Sequence, residues 1–248
     1  MKRFPAPAAL LGAMLAFASA AAFAPAWADG IGDAQVSCVV LPSQQINLSS
    51  AVPGIVRAVL VERGEQVRKG EPLLKLIADV ENAEVDLART KAGLAKRKLD
   101  RNRDVIQKRL LSDMERDQLE TDSAVAQQEY EVARRTVSQK ATVSPIDGIV
   151  VSRKVEPGQY VGTDAVFELA SLDPLYVELV FRVAAYGKIK PGMAASIALG
   201  PPVGSSRDGK VAIVDKVIDA SSQTFRVRVR LPNPGLQIPS GIGCKANF

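Results

Sequence analysis

"GIVRAVLVERGEQVRKGEPLLKL" runs from Gly54 to Leu76, and "GIVVSRKVEPGQYVGTDAVFEL" runs from Gly148 to Leu169. Laid on one another, Gly54 falls on Gly148, Val56 on Val150, Val61 on Val155, Gly64 on Gly158 and Val67 on Val161. The second copy is then one residue shorter, so Leu73, Leu74 and Leu76 match Val166, Phe167 and Leu169. Each copy reads as strand, glycine turn, short strand, turn, strand. Gly54, Gly64, Gly70, Gly148 and Gly158 are expected to be its turn residues. A copy of roughly 25–30 residues is too short to bury a core alone. Repeat arrays need three or more units, so two copies point to a closed, pseudo-symmetric sandwich.

A different texture separates the copies. From Asp79 to Lys140 there is no proline and a single glycine, Gly93, among abundant Ala, Glu, Lys, Arg, Gln and Leu. Leu119, Ser123, Ala126, Tyr130, Ala133 and Val137 follow a 4-3-4-3-4 spacing, and Val80, Ala83, Leu87, Thr90 and Leu94 do the same earlier. Both read as a/d seams. Ser112 followed by Glu115 is a capping box, so a second helix starts there. The segment is expected to be two helices of about 40 Å each, folded back at Leu110–Ser112.

The flanks are strand-like. "AQVSCVVL" (34–41) precedes the first copy and is punctuated by Pro42 and Ser43. After Asp173-Pro174 come "LYVELVFRV", "MAASIAL", "KVAIVDKVI" and "TFRVRVRL", with "GCKANF" closing the set and "GPPVGSSRDG" read as a loop. Phe225, Val227, Val229 and Leu231 point one way and Arg226, Arg228 and Arg230 the other. Several short antiparallel strands indicate a small barrel or sandwich.

The 248-residue chain opens on Met1-Lys2-Arg3, an Ala/Leu/Phe-rich run, and Ala26-Trp27-Ala28. This is the pattern of a secretory signal cleaved after residue 28; an uncleaved anchor is the rival reading. Export places Cys38 and Cys244 in an oxidising compartment. They read equally as a disulfide or as two small buried residues.

Composition excludes several chemistries. The chain has no histidine, which removes the commonest general base, metal ligand and partner of a nucleophile. Pairs such as Glu81/Glu84 and Asp113/Asp117 lie on highly charged helical segments, and solvated faces explain them. "GEQVRKGEP" lacks the ending of a phosphate loop. The net charge of +5 comes without basic stretches interleaved with aromatics, so no nucleic-acid partner is expected. No metal site, cofactor or enzymatic activity is expected.

The pattern G-x-V…V-x-x-G-x-x-V-x-x-G-x-x-L-L resembles one half of a biotinyl/lipoyl domain. In carrier enzymes the halves meet at a hairpin that holds the modified lysine; here residues 79–140 occupy that place. A lipoyl domain split by a helical hairpin and followed by a small barrel resembles the HlyD-like membrane fusion proteins, the periplasmic adaptors of tripartite efflux pumps. The resemblance implies an elongated chain: signal peptide 1–28, N-terminal strand 29–45 joining the barrel, lipoyl-like halves 46–78 and 141–171, hairpin 79–140 and barrel 172–248. That strand would bring Cys38 towards Cys244, implying a disulfide. A fourth, membrane-proximal domain, common in the family, is either missing from this chain or naturally absent.

Partners follow from the same resemblance. They are an inner-membrane transporter, RND-type favoured over ABC-type, a TolC-type outer-membrane channel, and copies of the chain itself in a hexamer. The family's tip pattern R-L-x-x-L-x-x-x-x-x-x-S, laid on "RNRDVIQKRLLS", matches Arg101 and Ser112, with Val105 for the second Leu and Asn102 departing at the first. Arg101, Val105, Leu110, Leu111 and Ser112 are the expected channel-contacting residues. Two alternatives are a scaffold for another envelope or polysaccharide export complex, and a lipoyl or biotinyl carrier module.

Overall fold

The computed structural model describes residues 36–108 and 110–248. The signal segment 1–28 and the start of the expected N-terminal strand lie outside the described residues. In chain order the strands are β1 (Val36–Ser49), β2 (Gly54–Val59), β3 (Gln66–Val67) and β4 (Pro72–Leu76). Helices α1 (Asp79–Gln107) and α2 (Asp113–Ser138) follow. Then come β5 (Ala141–Val143), β6 (Gly148–Arg153), β7 (Tyr160–Val161) and β8 (Ala165–Arg182). The last four are β9 (Ala194–Leu199), β10 (Ser206–Val214), β11 (Thr224–Leu231) and β12 (Gly243–Asn247).

The two copies form one sandwich by exchanging their short strands. β3 of the first pairs with β6 of the second, and β7 of the second pairs with β2 of the first. Backbone bonds repeat the exchange. The Gly64 N–H donates to the Val150 carbonyl at 2.8 Å, and the Gly158 N–H donates to the Val56 carbonyl at 2.8 Å. Neither half can complete its ladder alone, so the pairing is obligatory. The core is equally shared: Val56, Val61, Val67, Leu73, Leu74 and Leu76 meet Val150, Val155, Val161, Val166, Phe167 and Leu169.

The five expected turn glycines divide into two kinds. Gly64, Gly70 and Gly158 sit in turns with φ of 87°, 86° and 86°, a region where a Cβ is costly. Gly54 and Gly148 instead begin β2 and β6. A Cβ on Gly148 would stand 2.3 Å from the backbone oxygen of Ala170, while one on Gly54 would meet the flexible Leu76 side chain at 3.1 Å. These two answer to close approach, which the repeat pattern alone does not separate from a turn.

Pro42–Ser43 and Asp173-Pro174 were expected to end strands, yet β1 and β8 run through them. The two strands pair from Cys38–Leu179 to Ser49–Ala165. Pro42 faces Leu175 and Gln44 faces Ser171, so the punctuation becomes a bulge within one continuous ladder. Past the bulge in one direction, β1 and β8 join β6 and β3 as one sandwich sheet, facing a second sheet ordered β5-β4-β2-β7. In the other direction they close a six-stranded barrel, β1-β12-β9-β10-β11-β8 and back to β1. Closure leaves no barrel edge unpaired.

Alternation fills the barrel. Phe225, Val227, Val229 and Leu231 of β11 are buried, and their arginine neighbours face out. That row is not bare cation: Arg226 and Arg228 flank Glu178 at 3.7 and 3.6 Å, Arg226 also reaches Asp215 at 3.3 Å, and Arg228 covers the Tyr176 ring. β10 begins at Ser206, inside the stretch read as a loop. Buried Asn233 secures the joint between barrel and sandwich. Its side-chain amide donates to the carbonyls of Leu172 and Ile238, its side-chain oxygen accepts from the Ile238 N–H, and its backbone N–H donates to Asp173.

Cys38 and Cys244 are direct neighbours in the β1–β12 ladder, with Cα atoms 4.9 Å apart and sulfurs bonded. Two measurements test this fold. Gly148→Ala should lower unfolding free energy by about 3 kcal/mol or more, because backbone must move, while Gly54→Ala costs less than about 1.5 kcal/mol. Equal midpoints in urea would refute the close approach at Gly148. Thiol titration of denatured, unreduced protein should find no free thiol; two free thiols would sink the disulfide.

Candidate functional site

The helical hairpin leaves the sandwich between two adjacent strands. β4 and β5 are paired, Lys75 opposite Ala141, and the Leu76 N–H donates to the Lys140 carbonyl at 2.8 Å. The chain thus departs and returns at one point of the sheet. Glu81, at the start of α1, bonds Lys140 at 2.7 Å. The Lys140 ammonium, with a backbone hydrogen bond beside it, holds the Glu81 carboxyl below its ordinary value. Arg57 of β2 pairs with Asp79 at the same root.

The seam of α2 lies where its spacing placed it: Leu119, Ser123, Ala126, Tyr130, Ala133 and Val137 are half-buried. The seam of α1 does not. Val80, Ala83, Leu87, Thr90 and Leu94 are exposed. The inward line is instead Glu81, Val85, Ala88, Ala92, Ala95 and Leu99, continuing through Asn102 and Ile106. Both lines have the same 4-3 spacing. The inward one is rich in alanine, which lets the helices approach closely, so hydrophobicity alone selected the wrong line.

At the far end, Ser112 caps α2. Its hydroxyl accepts from the Glu115 N–H at 3.2 Å, and the Glu115 carboxylate accepts from the Ser112 N–H at 2.9 Å and from its hydroxyl at 2.8 Å. The Ser112 backbone N–H, and then its hydroxyl, hold the Glu115 carboxyl below its ordinary value. Across the turn, the Leu110 N–H reaches back to the Val105 carbonyl at 3.0 Å. Arg116 lies between Asp113 at 3.5 Å and Asp117 at 2.8 Å, and the Asp117 carboxylate, then that of Asp113, raises its pKa.

The expected tip residues are therefore of unlike kinds. Ser112 is occupied as a cap. Val105 and Leu111 are half-buried, and Leu111 lines a small cleft with Ile106, Asp113 and Arg116. Arg101 is exposed but lies six residues below the end of α1, about 9 Å at 1.5 Å per residue. Leu110 is 70% exposed, and so is Met114 at 79%. Met114 escaped the pattern-based reading because it lies beyond the pattern's last position, inside the first turn of α2. Leu110 and Met114 are thus two exposed apolar side chains on either side of the Ser112 cap. Among the described residues there is no metal-ligand cluster, and no helix is long and apolar enough to cross a membrane.

Comparison with known proteins agrees with this arrangement. Residues 44–171 match the family model described as CzcB-like, barrel-sandwich hybrid domain. The chain is 28% identical to the nickel-cobalt-cadmium resistance protein NccB of Alcaligenes xylosoxydans xylosoxydans over 96% of its own length and 64% of NccB. It is 25% identical to the antibiotic efflux pump periplasmic linker protein ArpA of Pseudomonas putida, over 81% of its length and 62% of ArpA. The chain thus spans less than two thirds of either relative. Among solved structures, a MacA-MexA chimera carrying the Pseudomonas aeruginosa MexA α-hairpin domain superposes with a TM-score of 0.71 at 18% identity. That match covers 86% of this chain and 79% of the chimera, and it shows a shared fold.

The capping geometry carries a prediction. A carboxylate with a lowered folded pKa stabilises the fold above its unfolded pKa and loses that contribution as pH falls through the folded value. Ser112→Ala removes the hydroxyl that accepts from the Glu115 N–H and should destabilise the hairpin by about 1 kcal/mol near neutral pH; because that hydroxyl also donates to the Glu115 carboxylate, the gap from the parent should narrow as the carboxylate is protonated in acid. Urea unfolding followed by circular dichroism reads both; a gap independent of pH would exclude the bond from the Ser112 hydroxyl to the Glu115 carboxylate.

Proposed function

The chain belongs to the CzcB-like barrel-sandwich hybrid family of membrane fusion proteins, and from that premise we propose that it is a periplasmic adaptor of an efflux system. In this reading it links an inner-membrane transporter, of the RND type rather than the ABC type, to a TolC-type outer-membrane channel. The observation that carries the reading is the hairpin. Two helices of 29 and 26 residues leave the sandwich at the position where a carrier domain presents its lysine. They end in a capped turn with Leu110 and Met114 exposed.

The mechanics follow from the fold. A helix of 29 residues reaches about 43 Å at 1.5 Å per residue, so the tip acts far from the barrel. The root is fixed by Glu81–Lys140 and by paired strands on either side. The work is therefore positional: one end of the chain holds the transporter while the tip engages the channel, and oligomerisation surrounds the path between them. NccB is a resistance protein and ArpA an efflux linker by name, which supports transport as the activity. The chain itself gathers no ligand set among its described residues that would nominate a cargo.

The tip gives the test. Leu110→Asp and Met114→Asp alter exposed side chains and should spare folding. Either should reduce resistance of cells to the exported compounds, and cross-linked pull-down from membranes should lose the outer-membrane channel while keeping the transporter. Unchanged recovery of the channel from folded, abundant variants would refute tip contact.

A further inference from the structure

The barrel end opposite the sandwich is built from a few pieces of chain. β1 starts there at Val36, across from Ala246 near the end of β12. Residues 183–193 cross that end from β8 to β9, with Ile189 buried. Loop 215–223 joins β10 to β11 at the same end. The Val183 N–H donates to the Gln223 carbonyl at 2.9 Å, which ties the crossing segment to the loop. The loop is also tied within itself. The Asp219 carboxylate accepts from the Ser221 hydroxyl at 2.6 Å and from the Ser221 and Ser222 N–H groups at 2.9 and 3.0 Å. The Asp219 N–H donates to the Thr224 carbonyl at 2.8 Å.

What this end shows to the outside is apolar and basic. Val217 is 83% exposed, more than any other large apolar side chain among the described residues. Ile218, Val183 and Tyr186 are exposed on the same two pieces. So are Arg182, Lys188, Lys190 and Lys216, and none of these four cations is in an ion pair among the described residues. The acids of the two pieces are Asp215 and Asp219, and both are engaged. Asp215 pairs with Arg226 at 3.3 Å, and Asp219 holds the loop. The Ser221 hydroxyl, then the Ser222 and Ser221 N–H groups, lower the Asp219 pKa to about 2, so that tie persists at neutral pH.

We propose that this barrel end docks directly on an anionic lipid surface, with Val217 and Ile218 entering the interfacial layer and Lys188, Lys190 and Lys216 meeting headgroup phosphates. Apolar side chains flanked by free lysines match a bilayer that is anionic outside and hydrocarbon beneath. Long lysine side chains lay their stems along the apolar layer and keep the ammonium in the headgroups. Tyr186 suits the same depth, with an apolar ring and a wet hydroxyl. At its exposure Val217 has almost no support from its own chain. It stands out from the barrel instead of forming part of a flat patch, a form that enters a fluid layer without needing a matching pocket. The topology gives a second, independent argument. The chain enters the fold at this end through β1, and the apolar run from Ala6 to Phe23, which reads as an export signal, precedes it. An exported chain thus leaves the bilayer by way of this end. The inference stands apart from the adaptor reading, since it concerns lipid and neither the channel nor the transporter.

Flotation of the mature chain, residues 29–248, with lipid vesicles tests it. The chain should float with phosphatidylglycerol vesicles at low salt, and much less with phosphatidylcholine vesicles or at high salt. Val217→Asp should weaken the partition about 10-fold or more, and Lys188→Gln or Lys216→Gln about fivefold each. Trp27 is the only tryptophan in the sequence, so Val217→Trp gives the mature chain a single indole. Its emission should shift to the blue when phosphatidylglycerol vesicles are added. Circular dichroism checks that each variant stays folded. A parent that fails to float with phosphatidylglycerol at low salt overturns the proposal. So does flotation that survives Val217→Asp, and so does an indole emission that the vesicles leave unshifted. Absence of lipid binding, together with loss of the transporter from a cross-linked pull-down of Val217→Asp, overturns it too and assigns the end to a protein contact. Leu110→Asp should float like the parent, so failure of the tip reading and failure of this one give different results.

Discussion

Strand β1 stays hydrogen-bonded to β8 from Cys38–Leu179 to Ser49–Ala165, through a bulge at Ser43, and both globular parts of the molecule hang on that ladder. On one side of the bulge the two strands are neighbours in a sandwich sheet; on the other they close a barrel. A flexible linker between two such parts would leave their relative placement to weak surface contact. Here the connection is two strands of backbone hydrogen bonds, and the buried Asn233 amide ties the loop after β11 to Leu172 beside the bulge. Cys38–Cys244 fastens the first barrel strand to the last.

The sandwich rests on a second constraint, the exchange of β3 and β7 between halves. Because each half completes the other, the halves must fold together even though the hairpin separates them in sequence. Inserting the hairpin between paired β4 and β5 costs the sheet little, since the chain leaves and re-enters across a single ladder step. The same pairing holds the two helix ends close, which favours an antiparallel hairpin with a common root.

The hairpin shows how a pattern is read correctly and yet misplaced. α1 has two 4-3 lines, one of larger side chains and one rich in alanine. Packing against α2 chose the alanine line, because close approach of two helices favours small side chains. The larger residues stand outside, and with them an apolar face whose spacing by itself reads as a seam. At the tip the same distinction recurs. Ser112 was legible as a cap from the spacing to Glu115, while Met114 gained its prominence from where the turn put it. The glycines behave alike: Gly64 and Gly158 are turn residues, whereas Gly148 is pinned by the Ala170 carbonyl, a neighbour distant enough in sequence to be invisible to a local pattern.

The repeat, the helical texture between its copies, the alternation of β11 and the capping box are all written in short-range order, because they arise from residue spacing and backbone preference over a few positions. From them the split sandwich, the hairpin and a following β domain were determined by sequence alone. The tertiary structure decided which strands the copies exchange, which line of α1 faces inward, and that Pro42 and Asp173-Pro174 bend one ladder instead of ending two strands. Each of these is settled by a partner far along the chain, whose hydrogen bonds and packing outweigh the local preference of the residues it meets.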